Sequence, residues 1–138
     1  MTALIFEIFL SGHHSIYLSK IIDIYLKRCE SVIVVMPEKA IEQFLKENPG
    51  YSSLDNLKFS HVDLKNNWGE HGLLSLLKRE FGIYKVLSDY LRDFESKKSI
   101  NYIVFPYLDY LTYALGVRGK LPTNAKLIGI AMRPSFHW

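Results

Sequence analysis

The residues with the clearest capacity for chemistry follow an apolar run at the start of the chain, in Ser11-Gly12-His13-His14-Ser15. Gly12 permits a tight turn with positive φ. A helix opening after such a turn offers backbone amides that attract a phosphate or carboxylate. His13 and His14 add donors that can carry charge near neutral pH. The plainer alternative is a tight turn with surface histidines. A second place is Phe105-Pro106-Tyr107-Leu108-Asp109. Asp109 is the candidate catalytic carboxylate, able to accept a hydroxyl proton or hold a polyol. The competing role is stabilisation of a helix N-terminus, where a carboxylate contributes about 0.3–1 kcal/mol. A third is Met132-Arg133-Pro134 with His137 beyond. Arg133 presents a planar fork suited to phosphate or carboxylate, and Pro134 keeps it extended. Gly12, His13, His14, Arg133 and His137 form the candidate binding set.

Other groups point elsewhere. Glu70-His71 precedes a long helical segment and is better read as shaping its entry. His13 and His14 are adjacent and the other histidines scattered, so no metal-ligand spacing exists and no metal is expected. Cys29 closes an apolar helix face and reads as a buried, inert thiol. There is no Gly-x-Ser-x-Gly elbow. The dinucleotide fingerprint is also missing, because its spaced glycines and the acidic end of the second strand are absent. The lysines are dispersed over helices and turns, which argues against a nucleic-acid stripe. No cofactor is implied.

These loops need elements to hold them, and the hydropathy pattern supplies an alternation. Apolar strands are expected at 3–10, 31–36, 57–62, 100–105 and 125–132. Helical periodicity covers 16–29, a segment after Pro37 that stops at Asn48-Pro49-Gly50, then 73–95, and a short helix at 107–115 closed by Gly116. In the long helix Leu73, Leu77, Phe81, Tyr84, Leu87, Leu91 and Phe94 fall on one face. Such alternation implies a parallel sheet with helices on both faces. The fold class is therefore α/β, a Rossmann-like sheet of about five strands forming one domain over residues 1–138. Ligands of such sheets sit at the carboxyl ends of the strands, which is where every candidate above falls.

Composition bounds the rest. With 49% hydrophobic residues the chain has too much apolar surface to stay disordered, and a single cysteine rules out an internal disulfide framework. The run from Thr2 to Leu10 is short for a membrane span and carries Glu7. Nor does it have the flanks of a signal peptide; a cytoplasmic location is expected, with peripheral membrane contact left open. A net charge of +3 permits an anionic ligand without requiring one. The chain stops just after a strand, at aromatic residues Phe136 and Trp138, and is expected to be the N-terminal part of a longer two-domain enzyme.

Three segments resemble GT-B glycosyltransferases. Leu10-Ser-Gly-His-His-Ser-Ile-Tyr-Leu18 is similar to the glycine loop after their first strand. Tyr102-Ile-Val-Phe-Pro-Tyr-Leu-Asp109 is similar to their fourth-strand segment, although Tyr107-Leu108 replaces the usual His before the Asp. Leu127-Ile-Gly-Ile-Ala-Met-Arg133 is similar to the next strand. The resemblance implies an N-terminal, acceptor-side domain for sugar transfer from a nucleotide-sugar donor to a hydroxyl-bearing acceptor. It places Gly12 and His13 near the donor diphosphate or acceptor, and Asp109 and Arg133 along the acceptor side. Most donor contacts would come from a missing C-terminal domain or a partner chain, leaving this chain alone inactive. Two alternatives remain open: a stand-alone Rossmann- or flavodoxin-like module for a nucleotide or other anion, and the acceptor subunit of a split glycosyltransferase.

Overall fold

The computed structural model describes residues 1–64, 73–95 and 97–131. Five strands, β1 (Thr2–Phe6), β2 (Ser31–Met36), β3 (Leu57–His61), β4 (Tyr102–Phe105) and β5 (Lys126–Gly129), alternate with four helices. The helices are α1 (His14–Leu26), α2 (Glu38–Glu47), α3 (Leu73–Glu95) and α4 (Thr112–Arg118). The strands form one parallel sheet in the order β3-β2-β1-β4-β5. This is the Rossmann-like α/β fold expected from the alternation of the sequence. Because β1 lies in the middle, the chain reverses its direction of travel across the sheet between β1 and β4. Ligand crevices of open α/β sheets lie at such a reversal.

Strict alternation along β1 and β2 divides the core in two. Leu4, Phe6, Ile33 and Val35 face α3, meeting Ile83, Leu87 and Leu91. Ala3, Ile5, Val32 and Val34 face α1 and α2, meeting Leu18, Ile22 and Phe44. Both faces of the central strands are therefore dry, which explains their unbroken apolar runs. On α3 the buried stripe centres on Ile83, Leu87 and Leu91, while Leu73, expected on that stripe, is 69% exposed. The helix lies on the sheet with its later turns.

Several element ends differ from the sequence expectation for identifiable reasons. β1 stops at Phe6 rather than Leu10, because the side chain of Glu7 accepts the amides of Ile8 and Phe9 and diverts the backbone from the ladder. α1 begins at His14, two residues earlier than the apolar periodicity, directly behind Gly12 at φ +64°. β4 is short: Pro106 has no amide to continue the ladder, and β5, paired with it from Lys126 to Gly129, is correspondingly short. The helix expected at 107–115 divides into a 3-10 turn at Leu108–Tyr110 and α4. Its closing glycine is Gly119, at φ +76°, and Gly116 lies within the helix.

The end of β5 packs tightly against that 3-10 segment. A Cβ at Gly129 would stand 2.7 Å from Leu108 Cδ2 and 3.1 Å from Leu108 Cβ. The backbone there is also tied down, with Leu108 N donating to Ile130 O at 3.1 Å and Ile130 N to Phe105 O at 3.0 Å. Leu108 therefore has little room to retreat. Gly129→Ala is expected to destabilise the chain by about 1–3 kcal/mol, the usual cost of overpacking. Urea unfolding of G129A, L108A and the double variant checks this, with the double variant recovering part of the G129A loss.

Candidate functional site

The site begins with the one charge embedded in the first apolar run. Glu7 follows the last residue of β1, and its amide makes a final ladder bond to Val35 O at 3.1 Å. Its side chain is 1% exposed. Oε1 accepts the amides of Ile8 at 2.9 Å and Phe9 at 3.1 Å. Oε2 is buried and has no hydrogen-bond partner. It faces Nδ1 of His14 at 3.7 Å, an atom that is likewise buried and unpartnered.

The turn at Ser11-Gly12 brings both histidines to the start of α1. His14 N donates to Ser11 O at 3.4 Å and Tyr17 N to His13 O at 3.2 Å, which locks the first helical turn. Tyr107 then arrives from the loop after β4. Its ring stacks on His14 with centroids 3.9 Å apart and planes 21° apart. Its hydroxyl lies 2.9 Å from His13 Nε2. Beyond it, Tyr110 stacks on Tyr107, Phe9 packs on Tyr110, and the Arg79 guanidinium sits over the Tyr110 ring. The reversal between β1 and β4 is thus bridged by one carboxylate, two imidazoles and a phenol.

Burial sets the protonation of this group. It pushes the Glu7 carboxyl up from an ordinary 4.5 to about 7, against the opposing pull of the Phe9 and Ile8 amides. Burial also lowers His14, and the neighbouring His13 adds to that shift. Both members of the pair are driven toward their neutral forms.

Beside this cluster the loops after β1, β2 and β3 enclose a cleft of about 620 Å³. Its lining includes Ile8, Phe9 and Ser11 after β1, Glu38 and Lys39 after β2, and Asp63 after β3. Three of the loops expected to carry function therefore meet in one depression.

The other candidates are distributed differently. Gly12, His13 and His14 fall together as expected. Asp109 lies in the 3-10 turn after β4, with its Oδ2 buried and without a hydrogen-bond partner. The amides at the start of α4 are instead taken by Glu80 of α3, whose Oε2 accepts Tyr113 N at 2.8 Å and Ala114 N at 3.2 Å. So the helix-stabilising role weighed for Asp109 belongs to Glu80. Arg133 and His137, like Glu70 and His71, lie outside the described residues. Cys29 is buried as expected, but α1 ends at Leu26 and the thiol lies beyond the helix rather than on its face. Glu7 and Tyr107 were not singled out by sequence reasoning. A lone acid inside an otherwise apolar strand was the available signal for Glu7; Tyr107 had none beyond its place after a strand. Among the described residues no group of three or more His, Cys, Asp or Glu could hold a metal ion, and no helix is long and apolar enough to cross a membrane.

Glu7 makes stability depend on pH. Between its unfolded and folded pKa values the folded chain binds more protons than the unfolded one, so this contribution is full below about pH 4.5 and is lost as pH rises through about 7. The shift corresponds to about 3 kcal/mol. Glu7→Gln keeps an oxygen for the two amides and removes the titration. Relative to E7Q, the wild-type chain should lose about that much stability across this window. Unfolding free energies at a series of pH values check this; parallel curves for the two proteins would refute it.

Comparison with known proteins gives a likeness of fold. No family model and no curated protein matches the chain. It is similar to the crystal structure of a ugt transferase from Siraitia grosvenorii in complex with UDP, with a TM-score of 0.60 and 16% identity. The match covers 92% of this chain and 27% of the transferase, so the chain spans about a quarter of the structure it resembles.

Proposed function

We propose that this chain is the acceptor-side half of a GT-B glycosyltransferase, holding a hydroxyl-bearing acceptor while a sugar passes to it from a nucleotide-sugar. The observation that carries this reading is the convergence of His13, His14 and Tyr107 at the reversal between β1 and β4. It occurs in a fold similar to part of a UDP-bound transferase. The cleft beside the cluster would take the body of the acceptor, and its mixture of apolar residues with Ser11, Glu38, Lys39 and Asp63 suits a ligand with both apolar and hydroxylic parts. In this reading His14 and His13 approach the reacting hydroxyl. Asp109, Arg133 and His137 line the same side, with Arg133 available to an anionic group. The diphosphate of the donor would be held mainly by a second domain or a partner chain.

A second reading has one observation in its favour. Gly12 at φ +64° turns the chain so that α1 opens at the crevice with no acidic residue in its first turn. That is the arrangement of a stand-alone nucleotide or anion module.

The two readings differ in what the 138-residue chain does by itself. As an acceptor half it should transfer no sugar from UDP-glucose. In heteronuclear NMR a short alkyl glucoside should shift the amides of His13, His14, Tyr107 and Leu10, while UDP shifts them little. Transfer by the chain alone would refute the acceptor-half reading, as would a failure of the glucoside to perturb that rim. Micromolar UDP binding abolished by Gly12→Val would establish the second reading in its place.

A further inference from the structure

Glu7 uses one carboxylate oxygen and leaves the other facing an imidazole. Oε1 is held by two consecutive amides, which fixes the orientation of the carboxylate. Oε2 and His14 Nδ1, both enclosed and both without a hydrogen-bond partner, stand 3.7 Å apart. A buried polar atom left without a partner is destabilising, and a proton between these two satisfies both at once. The Tyr107 ring lying parallel on His14 holds the imidazole plane.

We propose that Glu7 is the positioning residue of His14: its ionised Oε2 accepts the Nδ1 proton, leaving the Nε2 lone pair to receive the proton of a hydroxyl ligand. The identity of that ligand as a sugar acceptor rests on the function proposed above; the pairing does not. In transfer, the acceptor oxygen bonds to the anomeric carbon as its proton passes to Nε2. The bond from that carbon to the diphosphate oxygen breaks, and its electron pair leaves on the diphosphate. When Glu7 is protonated the buried bond reverses: the carboxyl O–H donates to Nδ1, Nε2 carries the hydrogen, and His14 is no longer a base.

The shift of the carboxyl to about 7 puts this exchange near neutral pH. Among the described residues, His13 on α1 and Tyr107 after β4 stack on His14, Tyr17 packs against His13, and Tyr110 with Arg79 of α3 continues the stack beyond Tyr107. From β2, Val35 O accepts the Glu7 amide.

The imidazole tautomer tests the pairing without any substrate. In the chain with ¹⁵N-labelled histidine, His14 should carry its hydrogen on Nδ1 at about pH 8.5, where Glu7 is ionised. In Glu7→Gln the carboxamide N–H donates to Nδ1, so the major tautomer should reverse to Nε2–H at the same pH. Unchanged amide shifts at Ile8, Phe9 and Tyr107 would show that the fold is kept. A His14→Gln spectrum assigns the signal. Wild-type His14 protonated on Nε2 at that pH overturns the proposal, and so does a folded E7Q chain with the wild-type tautomer. If E7Q does not fold, the wild-type titration decides: the major tautomer either crosses over as Glu7 ionises, or the pairing is wrong. A tautomer that follows Glu7 in a chain indifferent to alkyl glucosides would overturn the proposed function and leave the pairing standing.

Discussion

The fold turns on how one carboxylate leaves the sheet. Parallel strands buried on both faces are held by ladder bonds and need no polar side chain. Glu7 interrupts that regime at the point where β1 meets the crevice. By capturing the amides of Ile8 and Phe9 it ends the strand, satisfies two backbone donors and sends the chain toward Gly12. Had the apolar run continued as strand to Leu10, the turn and both histidines would lie farther beyond the sheet edge, out of register with the loop that delivers Tyr107. The desolvation of Glu7 works against the stability of the ionised form, so the arrangement is held by the surrounding dry core rather than by the charge itself.

Around that point the division of labour is clear. The central strands and the α1, α2 and α3 faces supply cohesion through interdigitated aliphatic side chains. The loops at the carboxyl ends supply the polar atoms. Glu80 shows the same economy on the far face: a buried acid whose Oε2 accepts the amides that begin α4. Buried acids in this chain therefore serve backbone donors first. What distinguishes Glu7 is that its leftover oxygen faces an equally unpartnered imidazole nitrogen.

Much of the architecture was legible in the sequence because it rests on periodicity, which is local. The β-branched run 31–36 and the span 73–95 read directly as β2 and α3. The misplaced boundaries were those set by nonlocal or side-chain events. The end of β1 depends on where a glutamate points, the shortness of β5 on the length of its partner, and the start of α1 on a turn rather than on apolar spacing. Gly116 and Gly119 are indistinguishable by composition, and only the path of the chain selects the second for a positive φ. At the candidate site, the histidines were visible as residue types that do chemistry. Tyr107 was not, since its contact with them joins residues 94 positions apart.

That separation has a consequence for how the molecule comes into being. The site straddles the seam between β1 and β4, which is closed at its other end by Thr2 and Asn101, residues 99 positions apart. Bringing such distant segments together costs about 4 kcal/mol of loop-closure entropy, a burden that slows folding in sheets dominated by nonlocal pairing. On the ribosome, β1, α1, β2, α2 and β3 can all emerge before β4 exists. The histidines are then in place on their turn while the ring that stacks on them is still unmade. The pocket chemistry is therefore a late product of folding, and a nascent chain truncated before Tyr102 would carry Glu7, His13 and His14 without the Tyr107 ring that covers them.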